Sequence, residues 1–274
     1  MSTCVLSKRW KCVSNSIPTL DFRGCEAGNR TVKEKRLKTQ QFMDFLDTVL
    51  CLHEKPNIQK FYLSWDEFFN PSRVNKWISI VIKRKVEELF LSVPSETYYF
   101  IFPLSLFTCD SLAVLELDLD GLRLNVPTTI SFPRLKLLRL RRMKFVNGIS
   151  IEKLVSKCPI LEELSLRDCR GLESEVLCIA NLALKNLYIS HWHFRESTLK
   201  ICSPNLSTIS YGYLAPADFV IDNFSSLVEA DIDITFFKND GSEKFILIEL
   251  LKKLASVKLL KIFDWKISCL VLSP

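Results

Sequence analysis

The chain has 274 residues, of which 48% are hydrophobic and 25% charged, with a formal net charge of +6. That balance excludes a disordered polyelectrolyte, and the short, scattered basic runs argue against a nucleic-acid-binding surface. No apolar run approaches the roughly 18 residues of a membrane helix, and Val5-Leu6 gives way at once to Lys8-Arg9, so neither a membrane span nor a secretory leader is expected.

Residues 3–13 predict a short helix, with Leu6, Trp10 and Val13 on one face and Lys8, Arg9 and Lys11 on the other. Ser16-Ile17-Pro18 ends it, because the residue before proline avoids helical backbone. Thr19-Leu20-Asp21-Phe22 alternates like a strand. Residues 23–38 read as a polar surface loop. Its run Lys33-Glu34-Lys35-Arg36-Leu37-Lys38 is taken as a solvated helix entry and not a nuclear signal, since Glu34 interrupts the charge. A helix over 40–53 places Phe42, Phe45, Leu46, Val49 and Leu50 on one face. A strand over 58–65, a helix over 74–84 and a strand over 86–93 follow, and further helices are predicted over 149–157 and 245–254.

From residue 58 onward one pattern recurs. Cys158-Pro159-Ile160-Leu161-Glu162-Glu163-Leu164-Ser165-Leu166-Arg167-Asp168-Cys169 holds the spacing L-x-x-L-x-L. Leu164 and Leu166 are two apart, so on a strand they share a face. Copies begin at Ile58, Val86, Leu112, Leu135, Leu184, Leu206, Leu227 and Val257, with successive offsets of 21 to 30 residues. That period is close to a leucine-rich repeat, in which each strand needs neighbouring copies to bury its leucines. The predicted fold is therefore an α/β leucine-rich-repeat solenoid: a curved parallel sheet on the concave side, helices and irregular turns on the convex side. The expected organisation is a remnant helix and strand over 1–22, a linker loop and helix over 23–57, the solenoid over 58–263, and an abrupt apolar tail over 264–274.

No catalytic constellation is evident. His191 and His193 flank Trp192 without a third ligand, and the ten cysteines show no C-x-x-C spacing, so no metal, cofactor or enzymatic activity is expected. In a cytoplasmic or nuclear protein these cysteines are reduced thiols, several buried as small hydrophobes. Asp118 and Asp120 beside Gly121 read as a strand end and its turn. Residues between and after the strand leucines point to the concave face. There Arg139, Arg141 and Arg167 are expected to cluster, with Glu116, Asp118 and Glu163 beside them and Tyr188 on the next strand. The functional reading is an arginine-centred surface for an acidic or phosphorylated protein partner; the alternative is an ordinary solvated sheet face.

Several stretches together resemble the plant F-box/LRR and F-box/FBD/LRR proteins. Val5-Leu6-Ser7-Lys8-Arg9-Trp10 and Ile17-Pro18-Thr19-Leu20-Asp21-Phe22 are similar to the end of that family's F-box and the strand after it. Phe42-Met43-Asp44-Phe45-Leu46-Asp47, Val74-Asn75-Lys76-Trp77-Ile78, Pro103-Leu104-Ser105-Leu106-Phe107-Thr108-Cys109 and Cys158-Pro159-Ile160-Leu161 resemble further family stretches in the family's order. The resemblance implies a substrate receptor of a cullin ubiquitin ligase, recruited through a Skp-type adaptor, with Leu6, Arg9 and Trp10 as the adaptor-side remnant. Only the last F-box helix is matched, so adaptor binding is expected to be weak; no FBD region is matched either. A scaffold or decoy that binds its partner without the ligase is the alternative.

Overall fold

A computed structural model describes residues 17–24, 31–53, 56–67, 69–92, 94, 99–145, 148–170, 176–191, 198–214, 218–221, 226–235, 242–254 and 257–263. The expected helix over 3–13 with Leu6, Arg9 and Trp10, the pair Trp192-His193, and the tail over 264–274 lie outside the described residues.

The strands in chain order are β1 (Thr19–Phe22), β2 (Lys60–Ser64), β3 (Glu88–Ser92), β4 (Tyr99–Phe100), β5 (Val114–Asp118), β6 (Arg123–Leu124), β7 (Leu137–Arg141) and β8 (Lys144–Phe145). They continue as β9 (Glu163–Arg167), β10 (Val176–Ala180), β11 (Asn186–Ser190), β12 (Thr198–Cys202), β13 (Thr208–Leu214), β14 (Asp218–Ile221), β15 (Glu229–Thr235) and β16 (Leu259–Phe263). Ten of them form one sheet in the order β1-β2-β3-β5-β7-β9-β11-β13-β15-β16. Every pairing in it is parallel. Two convex sheets, β4-β6-β8 and β10-β12-β14, run behind it.

The leucine spacing explains the sheet. Leu115, Leu138, Leu164, Leu187 and Ile209 are successive register partners, and Leu117, Leu140, Leu166, Ile189 and Tyr211 form a second ladder. All ten are buried. A slip of one residue would turn both ladders outward, so burial fixes the register. Each fully buried Leu contributes about 1.5–3 kcal/mol of transfer free energy.

The entry bends are locked by a second repeat. The carbonyl just before each strand accepts two N–H groups from the next turn: Ala113 O from Lys136 and Leu137, Lys136 O from Glu162 and Glu163, Glu162 O from Lys185 and Asn186. Three residues before the leading leucine lies a buried slot, filled by Cys109, Phe132, Cys158, Asn181 or Ser203. Asn181 uses it most fully. Its Nδ2 donates to Val155 O (3.0 Å) and Cys158 O (2.9 Å), and its Oδ1 accepts from Ala183 N (2.9 Å). Cys169 donates through Sγ to Leu140 O and Arg167 O, both at 3.4 Å. Burial pushes the thiols of Cys158 and Cys169 up to about 12, which keeps both protonated.

The helices cover the convex side. The first spans Val32–Leu52 and starts eight residues before the expected 40, because Thr31 and Glu34 form a capping box. The Lys33–Lys38 run is thus inside a helix, as a solvated first turn. The second, Pro71–Lys83, is capped by Asn70, whose side chain accepts from Ser72 and Arg73 N–H, with proline at its first position. Arg73 bridges to Asp44 (2.8 Å) and Asp47 (2.5 Å) of the first helix, and Trp77 Nε1 donates to Asp47 (2.7 Å). An aromatic group joins this end of the core: Phe42 stacks on Trp65 at 4.1 Å, and Phe69 meets both Trp65 and Trp77. Leu104–Phe107, Gly148–Ser156 and Ser242–Lys253 complete the helices among the described residues. None of those described is long and apolar enough to cross a membrane.

Candidate functional site: the concave sheet face

The pleat places alternate strand residues on the concave side, where β2, β3, β5 and β7 each show the same half-buried, buried alternation. Register makes three rows of them. The central row runs Tyr62, Phe90, Glu116, Arg139, Ser165, Tyr188, Ser210 and Asp231, each opposite the next. The row at the strand C-terminal ends runs Ser92, Asp118, Arg141, Arg167, Ser190 and Gly212.

Charge is distributed unevenly over these rows. At the first strands Arg23 pairs with Asp21 (2.6 Å) and stacks on the Tyr62 ring at 4.2 Å. The Tyr62 hydroxyl donates to Glu88, which also pairs with Lys60 at 2.9 Å. Burial would raise the Glu88 carboxyl, but Tyr62 and Lys60 outweigh it and hold the group below its usual range. In the middle, Arg139 lies between two carboxylates: Nη1 is 2.8 Å from Glu116, and Nε and Nη2 are 2.9 and 2.8 Å from Glu163. Burial lowers the Arg139 guanidinium and the two glutamates more than reverse this, so it stays firmly charged and committed. Arg139, Glu116 and Glu163 are therefore brought together as expected in space, but with the one guanidinium fully engaged by two carboxylates, a triad of net charge −1.

The C-terminal row differs. Asp118 faces Arg141 in register, yet its Oδ1 binds Arg142 Nε at 2.6 Å, with Asp120 3.5 Å from the same guanidinium. Arg142 reaches Asp118 because its backbone is left-handed, φ 50°. Asp168 and His191, which follow β9 and β11, share that conformation at 53° and 52°. Such backbone is uncommon for side chains other than Gly, Asn and Asp. Asp120 and Gly121 form the turn after β5, both with positive φ. Arg141 is left without a carboxylate among the described residues, and its Nε is buried with no hydrogen-bond partner. Its other neighbour in register is Arg167, a like charge that is 53% exposed. The carboxylate nearest to Arg167 is Asp168, 3.8 Å from its Nε and 3.7 Å from His191 Nδ1. Tyr188 lies one strand on, partly exposed. Arg142, which the repeat spacing did not single out, is the residue that decides where Asp118 points. The run Arg139-Leu140-Arg141-Arg142 was its signal in the sequence.

Comparison with known proteins locates the chain. A family model described as At1g61320/AtMIF1, LRR domain, matches residues 49–262. The Arabidopsis thaliana F-box/FBD/LRR-repeat protein At1g78750 is 29% identical over 95% of this chain and 60% of its own length. The FBD-associated F-box protein At4g10400 of the same plant is 33% identical over 93% of this chain and 54% of its own. The F-box/LRR-repeat protein At4g14096 is 34% identical over 85% and 49%. The chain thus spans about half the length of the curated relatives it matches. No solved structure matches it.

Proposed function

The chain belongs to the leucine-rich-repeat family of the At1g61320/AtMIF1 LRR domain, within the plant F-box/LRR proteins, and from that premise we propose that it is the substrate-recognition arm of a cullin ubiquitin ligase. Its role is non-enzymatic: a target protein lies on the concave face while a Skp-type adaptor links the receptor to the cullin. One observation supports the recognition half of this reading above all. The ten parallel strands keep one register from end to end, which gives a wall about 43 Å long at the usual strand spacing. A wall of that length suits a protein partner better than a small molecule.

The ligase half is tested by affinity capture of the tagged chain from plant cells with the proteasome inhibited. The expected result is co-capture of a Skp-type adaptor and a cullin, weaker than with an F-box protein bearing all its F-box helices. Retained target binding with no adaptor would overturn the ligase role and leave a scaffold or decoy.

A further inference from the structure

At the first strands of the sheet a cation of the chain itself already fills an aromatic seat. Resting on the recognition reading above, we infer that Arg23 is a resident placeholder in an arginine seat built by Tyr62, Phe90 and Asp21, and that an arginine of the partner protein displaces it.

The seat follows from the register. Tyr62 and Phe90 face each other on β2 and β3, at the position that β5, β7 and β9 fill with Glu116, Arg139 and Ser165. Both are half-buried, and their rings meet edge to face at 6.5 Å. The Tyr62 hydroxyl donates to Glu88, which fixes the plane of its ring. Such a ring face attracts a cation. Acids stand on both sides in register, Asp21 beside Tyr62 and Glu116 beside Phe90. Glu116 and Glu163 share the one Arg139 guanidinium, so that neighbour keeps a surplus of negative charge.

Arg23 shows which cation fits. Its guanidinium lies 4.2 Å from the Tyr62 ring centroid and 5.9 Å from that of Phe90. Its Nε and Nη2 donate to the two Asp21 oxygens as a fork, at 3.0 and 2.6 Å. The fork holds the Asp21 carboxyl below its usual range, and Asp21, with Tyr62 and Glu116 adding at longer range, raises the guanidinium. A lysine ammonium has neither the plane to stack nor the fork.

The same contacts make Arg23 displaceable. Its fork goes to a residue only two positions away, so it ties Arg23 to its own strand end and not to β2 or β3. The side chains of Arg23 and Asp21 remain 49% and 41% exposed, and an ion pair that open contributes little. Gly24 follows with a left-handed φ of 71°, in space where an added Cβ would meet nothing within 4 Å. Arg23 can therefore swing into water without breaking a packed contact. An incoming guanidinium inherits both rings and the Asp21 fork, and its segment gains the rest of the concave face, which Arg23 cannot reach.

The test uses the full chain and three immobilised peptide libraries with identical degenerate flanks, centred on arginine, citrulline or lysine. Citrulline keeps the shape of arginine and removes its charge. The expected result is capture by the arginine library about fivefold tighter than by the citrulline library, the scale of one partly desolvated cation–π contact. Arg23→Ala vacates the seat and should widen that difference about threefold. Tyr62→Leu should abolish it. Asp21→Asn, at an exposed position, should do the same with an unchanged melting temperature, and Lys252→Gln, paired with Glu249 on the Ser242–Lys253 helix, should leave it intact. Equal capture of the arginine and citrulline libraries, or a preference that survives Asp21→Asn and Tyr62→Leu, overturns the seat. Weaker arginine capture by Arg23→Ala overturns the placeholder role. Lysine capture equal to arginine overturns the guanidinium assignment. Adaptor capture does not involve these residues, so an adaptor-binding chain without arginine preference refutes this seat alone. Arginine preference without adaptor capture refutes only the ligase role.

Discussion

Leu164→Ala probes the element on which the whole solenoid depends. Leu164 is fully buried, with Leu138 and Leu187 as register partners on either side, both also fully buried. The substitution removes three carbons, and at about 0.8 kcal/mol per methylene the lost transfer alone is about 2.4 kcal/mol. A cavity contribution adds to that, because β9 is bonded to strands on both edges and cannot collapse inward; the sum lies near 3–4 kcal/mol, within the range for buried Leu→Ala. For a chain of this size that is roughly a 6–16 °C fall in melting temperature. The control is Leu260→Ala. Leu260 occupies the same inward position on β16, the last strand of the sheet, but is 38% exposed. Its loss should be about 1.5 kcal/mol, the transfer figure scaled to its smaller burial. Chemical denaturation and calorimetry of the two variants give the comparison. Equal losses, or a loss under about 1 kcal/mol for Leu164→Ala, would refute the view that register burial sets the stability of the sheet.

Three further outcomes follow from the same geometry. Asn181→Ala removes three hydrogen bonds, those to Val155 O and Cys158 O and that from Ala183 N, while the two carbonyls keep the N–H groups of Cys158 and Leu161; it should destabilise by about 3 kcal/mol, about 1 kcal/mol per bond, measured by urea unfolding. Asp47 is raised by burial but lowered more by its bonds to Trp77 and Arg73, so its carboxyl titrates below the ordinary 3.8. A depressed folded value means its stabilisation is full above that pH and is lost as pH falls through the folded value, so the acid limb of melting temperature against pH should flatten in Asp47→Asn. Arg142→Gln removes the 2.6 Å partner of Asp118 and should lower stability by no more than about 1 kcal/mol, the range of a solvent-exposed ion pair; a larger loss in urea unfolding would mean that Arg142 does more than pair with Asp118.

The fold was legible because its constraint is periodic. Leu-x-x-Leu-x-Leu fixes which residues face inward, and each of the nine copies found in the sequence became a strand of the main sheet. The strand at Thr19–Phe22 was also legible from alternation alone, and it opens that sheet by pairing with β2. What escaped lies where the partner is another turn and the signal is short. β4, β6 and β8 are two residues each, below any readable period. β10 and β12 carry readable inward pairs, Leu177 with Ile179 and Leu199 with Ile201, and β14 buries Phe219, but their hydrogen-bond partners stand about one repeat away on the convex side, masked by the stronger leucine pattern. The slot held by Cys158, Asn181 and Ser203 was hidden by its mixed chemistry. Its common feature is position, three residues before a leucine, and the backbone carbonyls there accept a thiol, an amide or a hydroxyl equally well.

The concave site was half legible for a different reason. The pleat alone states that Arg139, Arg141 and Arg167 share a face, since alternation permits nothing else. It does not state which acid each one meets. Arg139 has a glutamate on both neighbouring strands and is consumed by them, whereas Arg141 has an aspartate on one side and an arginine on the other. Register would assign Asp118 to Arg141. The left-handed turn at Arg142 breaks that assignment by bringing a second guanidinium back over the strand end. A local backbone choice, invisible to periodicity, thus separates an arginine fully engaged by two glutamates from an arginine pair one row away whose one nearby carboxylate among the described residues is Asp168, 3.8 Å from Arg167. The leucines fix the sheet and leave the concave positions open to variation, so on the proposed reading pairings of this kind, and not the leucines, would set which partner the face accepts.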